Sequence, residues 1–224
     1  MLHGALFDLD GTLIDTAGDF VVAVNRLRAA RGLTAMAASR IAEQVSNGAA
    51  ALTQLALGIP PEQHDFELHR QALLNHYRDC LGEQARLYDG LDSLLEQLDR
   101  QGSPWGVVTN KPLAYALPLM KSLGLAERCH ALICPEHVSH KKPDPEPLQL
   151  AADKLQLDSR RLLYTGDHAR DIIAARAAGM TSIAAGYGYI EATQNPVDWR
   201  ADHLVDSSQQ LQQLILSLIT AAPQ

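Results

Sequence analysis

The chain has 224 residues, 46% hydrophobic and 20% charged, which is enough apolar content to bury a substantial core. Its formal net charge is −7 and its isoelectric point is near 5.7, with the basic residues scattered rather than clustered. Its field therefore repels nucleic acid and anionic membrane, and neither is expected as a partner. Cys80, Cys129 and Cys134 form an odd set without metal-ligand spacing, as expected of reduced thiols packed as small apolar side chains. No apolar run approaches a membrane span, and the N-terminus meets Asp8 and Asp10 too early for a signal peptide. A cytoplasmic protein is expected.

Gly4 to Phe7 is a short apolar run that ends in acidic residues and Gly11, the pattern of a buried strand opening into a loop. A helix is predicted from Ala17 to Arg31, with Phe20, Val21, Val24 and Leu27 at helical spacing. Ser46-Asn47-Gly48 is a turn between two helical patterns. Pro60 and Pro61 are predicted to open a long helix with Phe66, Leu73 and Tyr77 on its apolar face, running to Gly82. Beyond residue 85 strands and helices alternate. Strands are predicted at Trp105–Val108, Ala131–Cys134, Leu162–Thr165, Ser182–Ala185 and His203–Val205. Helices are predicted at Leu91–Gln101, Pro112–Leu123, Leu148–Leu155, Asp171–Ala178 and Gln209–Ala221. This alternation predicts an α/β fold with a doubly wound parallel sheet. The first strand belongs to that sheet, so residues 1–15 and 86–224 form the expected core domain, and residues 16–85 an inserted helical domain.

In open parallel sheets, ligands bind beyond the carboxyl ends of the strands, and four predicted strand ends here carry polar residues. The first holds Asp8-Leu9-Asp10-Gly11-Thr12, whose two aspartates point the same way on an extended chain. A chance D-x-D-G-T in a chain of this length is below roughly one in a hundred. The second holds Thr109-Asn110-Lys111, where alone Thr109 reads as an ordinary helix cap. The third holds Lys141-Lys142-Pro143, and a lysine before proline is ordinarily solvated. The fourth holds Gly166-Asp167-His168-Ala169-Arg170-Asp171, in which Asp167 and Asp171 can converge on a cation. His168 is expected on a solvent-facing loop, and Tyr187 and Trp199 as packing aromatics.

Taken together, in this order and each after its own strand, these motifs resemble the haloacid dehalogenase superfamily over essentially the whole chain. The resemblance implies a helical cap domain in residues 16–85, with Asp8 as nucleophile and Asp10 as general acid and then base. It further implies that Thr109, Asn110 and Lys142 hold the phosphate, and that Asp8, the Asp10 carbonyl and Asp167 ligate Mg²⁺ with Asp171 in support. The chemistry agrees, since a carboxylate attacking a phosphate dianion needs positive charge to offset repulsion.

Asp10 is present, unlike in the family's dehalogenases, and no lysine precedes Lys111, so the cap offers none for a Schiff base. Position 20 is Phe20, where the sugar-phosphate mutases carry histidine. Hydrolysis of a small phosphate ester is therefore expected, by a monomer or homodimer. Asp15-Thr16-Ala17-Gly18-Asp19, Ser46-Asn47-Gly48-Ala49 and Thr109-Asn110-Lys111-Pro112 resemble the phosphoglycolate phosphatase branch. Trp105 to Pro112, Leu132 to Val138, and Tyr187-Gly188-Tyr189-Ile190 with Asn195-Pro196 and Trp199 resemble the N-acetylmuramic acid 6-phosphate phosphatases more closely. Both substrates carry a carboxylate, so pocket size must separate them. An inactive relative serving as a binding module is the alternative of another class. The turn Ser46-Asn47-Gly48 carries no cation, and is expected to meet the leaving group through backbone N–H groups and the Asn47 amide.

Overall fold

The computed structural model describes residues 2–219. In chain order its elements are β1 (Gly4–Phe7), β2 (Ile14–Asp15), α1 (Ala17–Ala29), α2 (Ala38–Ala42), α3 (Gly48–Leu57), α4 (Phe66–Arg78), β3 (Arg86–Leu87) and α5 (Leu91–Arg100). There follow β4 (Trp105–Val108), α6 (Leu113–Ser122), β5 (Ala131–Ile133), α7 (Glu146–Leu155), β6 (Leu162–Gly166), α8 (Ala169–Ala177), β7 (Thr181–Ala185), β8 (His203–Val205) and α9 (Ser208–Leu218).

Six strands pair in parallel in the order β5-β4-β1-β6-β7-β8. The chain steps outward from β1 through β4 to β5, then crosses to the other side of β1 for β6, β7 and β8. That reversal opens a crevice beyond the carboxyl ends of the central strands. Strands β1, β4 and β6 are buried at every position, which is why their sequences are predominantly apolar. Helix α5 buries Leu91, Leu94, Leu95 and Leu98, at one-face spacing, with Leu119 of α6 and Leu211 of α9. The opposite face is covered by Leu148 and Ala151 of α7 and Ala174 and Ala175 of α8. The expected doubly wound sheet is the one found.

Helices α1 to α4 pack around their own cluster, in which Phe20, Val24, Leu27, Leu52, Leu73 and Tyr77 are buried. The expected apolar faces of α1 and α4 are thus the buried ones, with Val21 half-buried. Within this block three boundaries differ from expectation. Helix α1 stops at Ala29, and α4 stops at Arg78 rather than Gly82. Pro60 and Pro61 do not open α4. Gln63 N–H donates to the Pro60 carbonyl and Phe66 N–H to that of Gln63, so two turns intervene before the helix begins at Phe66. The final helix ends at Leu218, and the expected Thr220 and Ala221 lie outside the described residues. Among the described residues, no helix is long and apolar enough to cross a membrane.

The two chain segments that lead into and out of this helical block are joined. Ile14 and Asp15 of β2 pair antiparallel with Leu87 and Arg86 of β3. Two-residue strands are too short to show a period, and no sequence pattern marks them. Asp19, which has no exposed surface, adds a second tie. Its two carboxylate oxygens accept from Gly82 N–H and Gln84 N–H, each at 2.7 Å. Asp19→Ala leaves two N–H groups without their acceptor and should destabilise the protein by about 3 kcal/mol, a fall in Tm of roughly 6–12 °C. Asp19→Asn, which keeps one oxygen, should lose less. Thermal unfolding of both variants checks this, and an unchanged midpoint for Asp19→Ala would contradict it.

Candidate active site

Asp8 follows β1 directly and prolongs its pairing, with Asp8 N–H donating to the Thr165 carbonyl at 2.8 Å. The loop then folds back at Gly11, whose φ of +79° is open to glycine and strained for other residues. A Cβ at Gly11 would also overlap the Asp167 carboxylate, so this glycine lets two strand ends meet. Asp8 is 5% exposed, Asp167 1% and Asp171 not at all.

These three carboxylates offer oxygens within 4.8 Å of one another. Lys142, itself 2% exposed, reaches into them, with Nζ 3.0 Å from Asp8 Oδ1 and 2.8 Å from Asp171 Oδ1. Its ammonium also donates to the Val108 carbonyl at 2.9 Å and lies 2.6 Å from the Tyr164 hydroxyl. Burial disfavours the charge on Lys142, but Asp171 and Asp8 outweigh it and hold the ammonium above its ordinary pKa. Leu9 N–H also donates to Asp8 Oδ1, at 2.8 Å, so both contacts of this carboxylate fall on one oxygen.

Asp167 is the uncompensated member. Its Oδ2 accepts from Tyr189 N–H at 2.8 Å and Ser46 Oγ at 2.9 Å, while its buried Oδ1 has no partner among the described residues. Burial, followed by the charges of Asp8 and Asp171, pushes its pKa up to about 8. Were all three carboxylates ionised, the one ammonium would leave an excess of two negative charges, which is why Asp167 holds its proton in the absence of a cation. An orphaned hard oxygen within such a set fits a divalent cation.

Asp10 stands apart from the triad. Its Oδ1 accepts from Thr16 Oγ1 at 2.6 Å and from Lys111 Nζ at 2.8 Å. Lys111 in turn donates to the Tyr77 hydroxyl at 2.7 Å, and its ammonium lies 5.0 Å from the Phe20 ring and 4.7 Å from that of Tyr77. Lys111 was not singled out from sequence. The signal would have been a lysine two residues after a strand-end threonine, which elsewhere is ordinarily solvated.

Thr109 directly follows β4, and its hydroxyl accepts from Lys111 N–H at 3.1 Å in a local turn rather than capping α6, whose N-cap is Pro112. Asn110 turns its amide to the Lys142 carbonyl at 3.0 Å, which ties the second motif loop to the third. His168 does not face solvent. It is half-buried, caps α8 by accepting from Arg170 N–H at 3.2 Å, and stacks on Trp199. Burial, then Arg170, lowers its pKa to about 4. Tyr187 is a packing residue, edge-on to Tyr88. Tyr189, taken from sequence only as a mark of ancestry, supports the site: its hydroxyl contacts Asp15 Oδ1 and the N–H groups of Thr16 and Ala17.

Between the helical block and the sheet lies a cavity of about 430 Å³ lined by Asp8, Asp10, Thr109, Asn110, Lys111 and, from the block, Ser46, Asn47 and Gly48. The turn residues are held there by the core. Arg170 donates to the Ser46 carbonyl, and Asn47 Nδ2 donates to Glu191 Oε1 at 2.5 Å. The Asn47 amide thus reaches the core while the residue itself lines the cavity. Gly48 has φ of +81° and ψ of −176°, a conformation for glycine alone.

The haloacid dehalogenase-like hydrolase family model matches residues 5–185. An N-acetylmuramic acid 6-phosphate phosphatase of Pseudomonas aeruginosa is 44% identical over 210 residues, covering 94% of this chain and 93% of its own. A phosphoglycolate phosphatase of Xanthomonas campestris is 40% identical over 213 residues, covering 93% of this chain and 94% of its own. The crystal structure of a predicted phosphoglycolate phosphatase from Haemophilus somnus shares the fold with a TM-score of 0.83 at 24% identity, over 96% of this chain and 98% of that one. The chain belongs to the haloacid dehalogenase-like hydrolases, and among them it is a phosphatase.

Proposed function

We propose that this phosphatase is a Mg²⁺-dependent phosphomonoester hydrolase that works through an aspartyl-phosphate on Asp8, with N-acetylmuramic acid 6-phosphate as its substrate. The observation that carries the chemistry is the buried triad of Asp8, Asp167 and Asp171 around one ammonium beneath a cavity between the helical block and the sheet. Asp8, the Asp10 carbonyl and Asp167 would hold the cation. When bound, it supplies positive charge at the transferring phosphoryl group.

The chain's own residues divide the remaining work. Asp8 Oδ1 is fixed by Leu9 N–H and Lys142, which leaves Oδ2 to attack phosphorus. The P–O bond to the leaving group breaks as Asp10 gives its proton to the departing alkoxide. Asp10 then takes a proton from water as that water attacks the aspartyl-phosphate, releasing phosphate and restoring Asp8. Thr109 and Lys142 hold the transferring oxygens, and Asn110 keeps their two loops in register. Asp171 holds Lys142. Residues 16–85 act as a cap on a core of residues 1–15 and 86–224, excluding water during transfer.

The substrate assignment rests on size and likeness. A cavity of about 430 Å³ falls within the ~300–1,000 Å³ of pockets that enclose drug-sized ligands, and is far roomier than a two-carbon acid requires. The 44% identity to an N-acetylmuramic acid 6-phosphate phosphatase favours the same choice. 2-Phosphoglycolate is the second candidate, favoured by the 40% identity to a phosphoglycolate phosphatase.

Asp8→Asn should lower phosphate release by several orders of magnitude, since an amide is a poor nucleophile and pairs weakly with Lys142. A variant that keeps more than a few per cent of wild-type turnover would refute the nucleophile. Metal dependence has a readout that needs no turnover. The folded-state pKa of Asp167, about 8, lies above its ordinary 3.8, so the metal-free folded chain holds a proton that the unfolded chain releases. That contribution is full below pH 3.8 and is lost as pH rises through about 8. In excess chelator, Tm should therefore fall across this window, Asp167→Asn should flatten the fall, and Mg²⁺ should raise Tm most at its alkaline end. A Tm indifferent to Mg²⁺ at pH 8, or full activity in chelator, would refute the cation assignment.

A further inference from the structure

Four cationic side chains line the cavity above the triad: Arg70, Lys111, Lys141 and Arg170. Lys111 is bound between Asp10 and the Tyr77 hydroxyl, and its side chain is only 6% exposed. Arg170 is turned to the Ser46 carbonyl. Lys141 is an exposed residue of the core loop. Arg70 is different, because it comes from the helical block and sits on an ordered stripe.

Arg70, Leu74 and Tyr77 recur at helical spacing on one face of α4, and all three line the cavity. Tyr77 marks the reacting end, since its hydroxyl meets Lys111 Nζ, which meets Asp10. At ~1.5 Å per residue, Arg70 stands about 10 Å along the helix from Tyr77. Leu74 provides an apolar surface between them. The guanidinium is held in place: Arg70 Nε donates to Glu67 Oε2 at 2.7 Å and Nη2 to Glu67 Oε1 at 2.6 Å. Glu67 is 69% exposed and Arg70 33%, so Glu67 approaches from the solvent side. Two of the five guanidinium N–H groups are used in this pair, which leaves a forked set of donors suited to a second carboxylate. The amino-terminal turn of α3, with Gly48, Ala49 and Ala50, lines the same cavity and adds the positive end of a helix dipole.

We propose that Arg70 is the specificity-determining residue that binds the leaving group's carboxylate, at the end of the cavity away from Asp8. This rests on the substrate proposed above. In N-acetylmuramic acid 6-phosphate the lactyl carboxyl carbon lies roughly eight bonds from phosphorus, at ~1.5 Å a bond, whereas in 2-phosphoglycolate it lies roughly three bonds away. A cation about two helical turns from the reacting end matches the longer spacing and is out of reach of the shorter. The same residue therefore selects a carboxylate and sets the distance at which it is recognised.

The test compares wild type, Arg70→Gln and Arg70→Lys on N-acetylmuramic acid 6-phosphate, N-acetylglucosamine 6-phosphate and 2-phosphoglycolate. The two sugars differ only by the lactyl ether. Arg70→Gln should lower kcat/KM for the muramic substrate about ten- to a hundredfold, mostly through KM, and leave the glucosamine ester unchanged. Arg70→Lys should recover part of the loss, because it restores charge without the fork. Equal losses on both sugars would make Arg70 a packing residue and overturn the proposal, as would an unchanged rate on the muramic ester. A wild-type enzyme that hydrolyses 2-phosphoglycolate but not the muramic ester would overturn the substrate assignment, and the role of Arg70 with it. Retained muramic activity that is insensitive to Arg70 would overturn only the latter.

Discussion

Lys142 is an ammonium with almost no solvent contact, held between Asp8 and Asp171 and donating to the Val108 carbonyl. A buried charge is tolerable only when its partners offset the loss of water, and breaking such a set by removing one member is costly. The surroundings are arranged to keep it intact. Asp8 extends β1, Val108 ends β4, and Asp171 belongs to the first turn of α8 after β6. The parallel order that sets β4 and β6 on either side of β1 is therefore also what assembles the charge cluster. The lysine's single charge is shared between Asp8 and Asp171, and Asp167 remains as the opening for a cation. The site is poised by a deficit of positive charge rather than by a preformed cage.

Three of the four core motifs were legible because each follows a fully buried strand, and an apolar run that ends abruptly in Asp, Thr or Gly-Asp is hard to mistake, whereas Lys142 lies well beyond the partly buried β5 and was legible only beside the other three. The roles of Lys111 and Tyr189 were not legible. A lysine between Asn110 and Pro112 reads as solvated until α1 and α4 bring Phe20 and Tyr77 over it, and that contact is set by tertiary packing. Likewise Tyr189 shows only an aromatic after a glycine. Its backbone reaches Asp167 and its hydroxyl reaches the residues leading into α1. The turns at Pro60 to Asp65 were misjudged because proline favours a first helical turn in general, while here it begins a turn that must be completed first.

On the proposed assignments, specificity and catalysis draw on different parts of the chain. The groups that would touch phosphate come from strand ends fixed by the sheet, whereas Arg70, Leu74 and Tyr77 come from one helix face of the block laid over it. Changes along α4 can alter what is admitted without disturbing Lys142. The paired tethers at β2 and β3, reinforced by Asp19, keep that face in register with the sheet below.

The hydrogen bond from Ser46 to Asp167 joins a turn of the helical block to the carboxylate proposed to take the cation. Two events that share one contact are thermodynamically reciprocal: whatever factor the seated turn adds to cation affinity, the cation adds to the seating of the turn. Loss of the cation would then loosen the turn, and lifting of the turn would weaken the hold on the cation, so the opening of the cavity and the vacating of its floor are coupled.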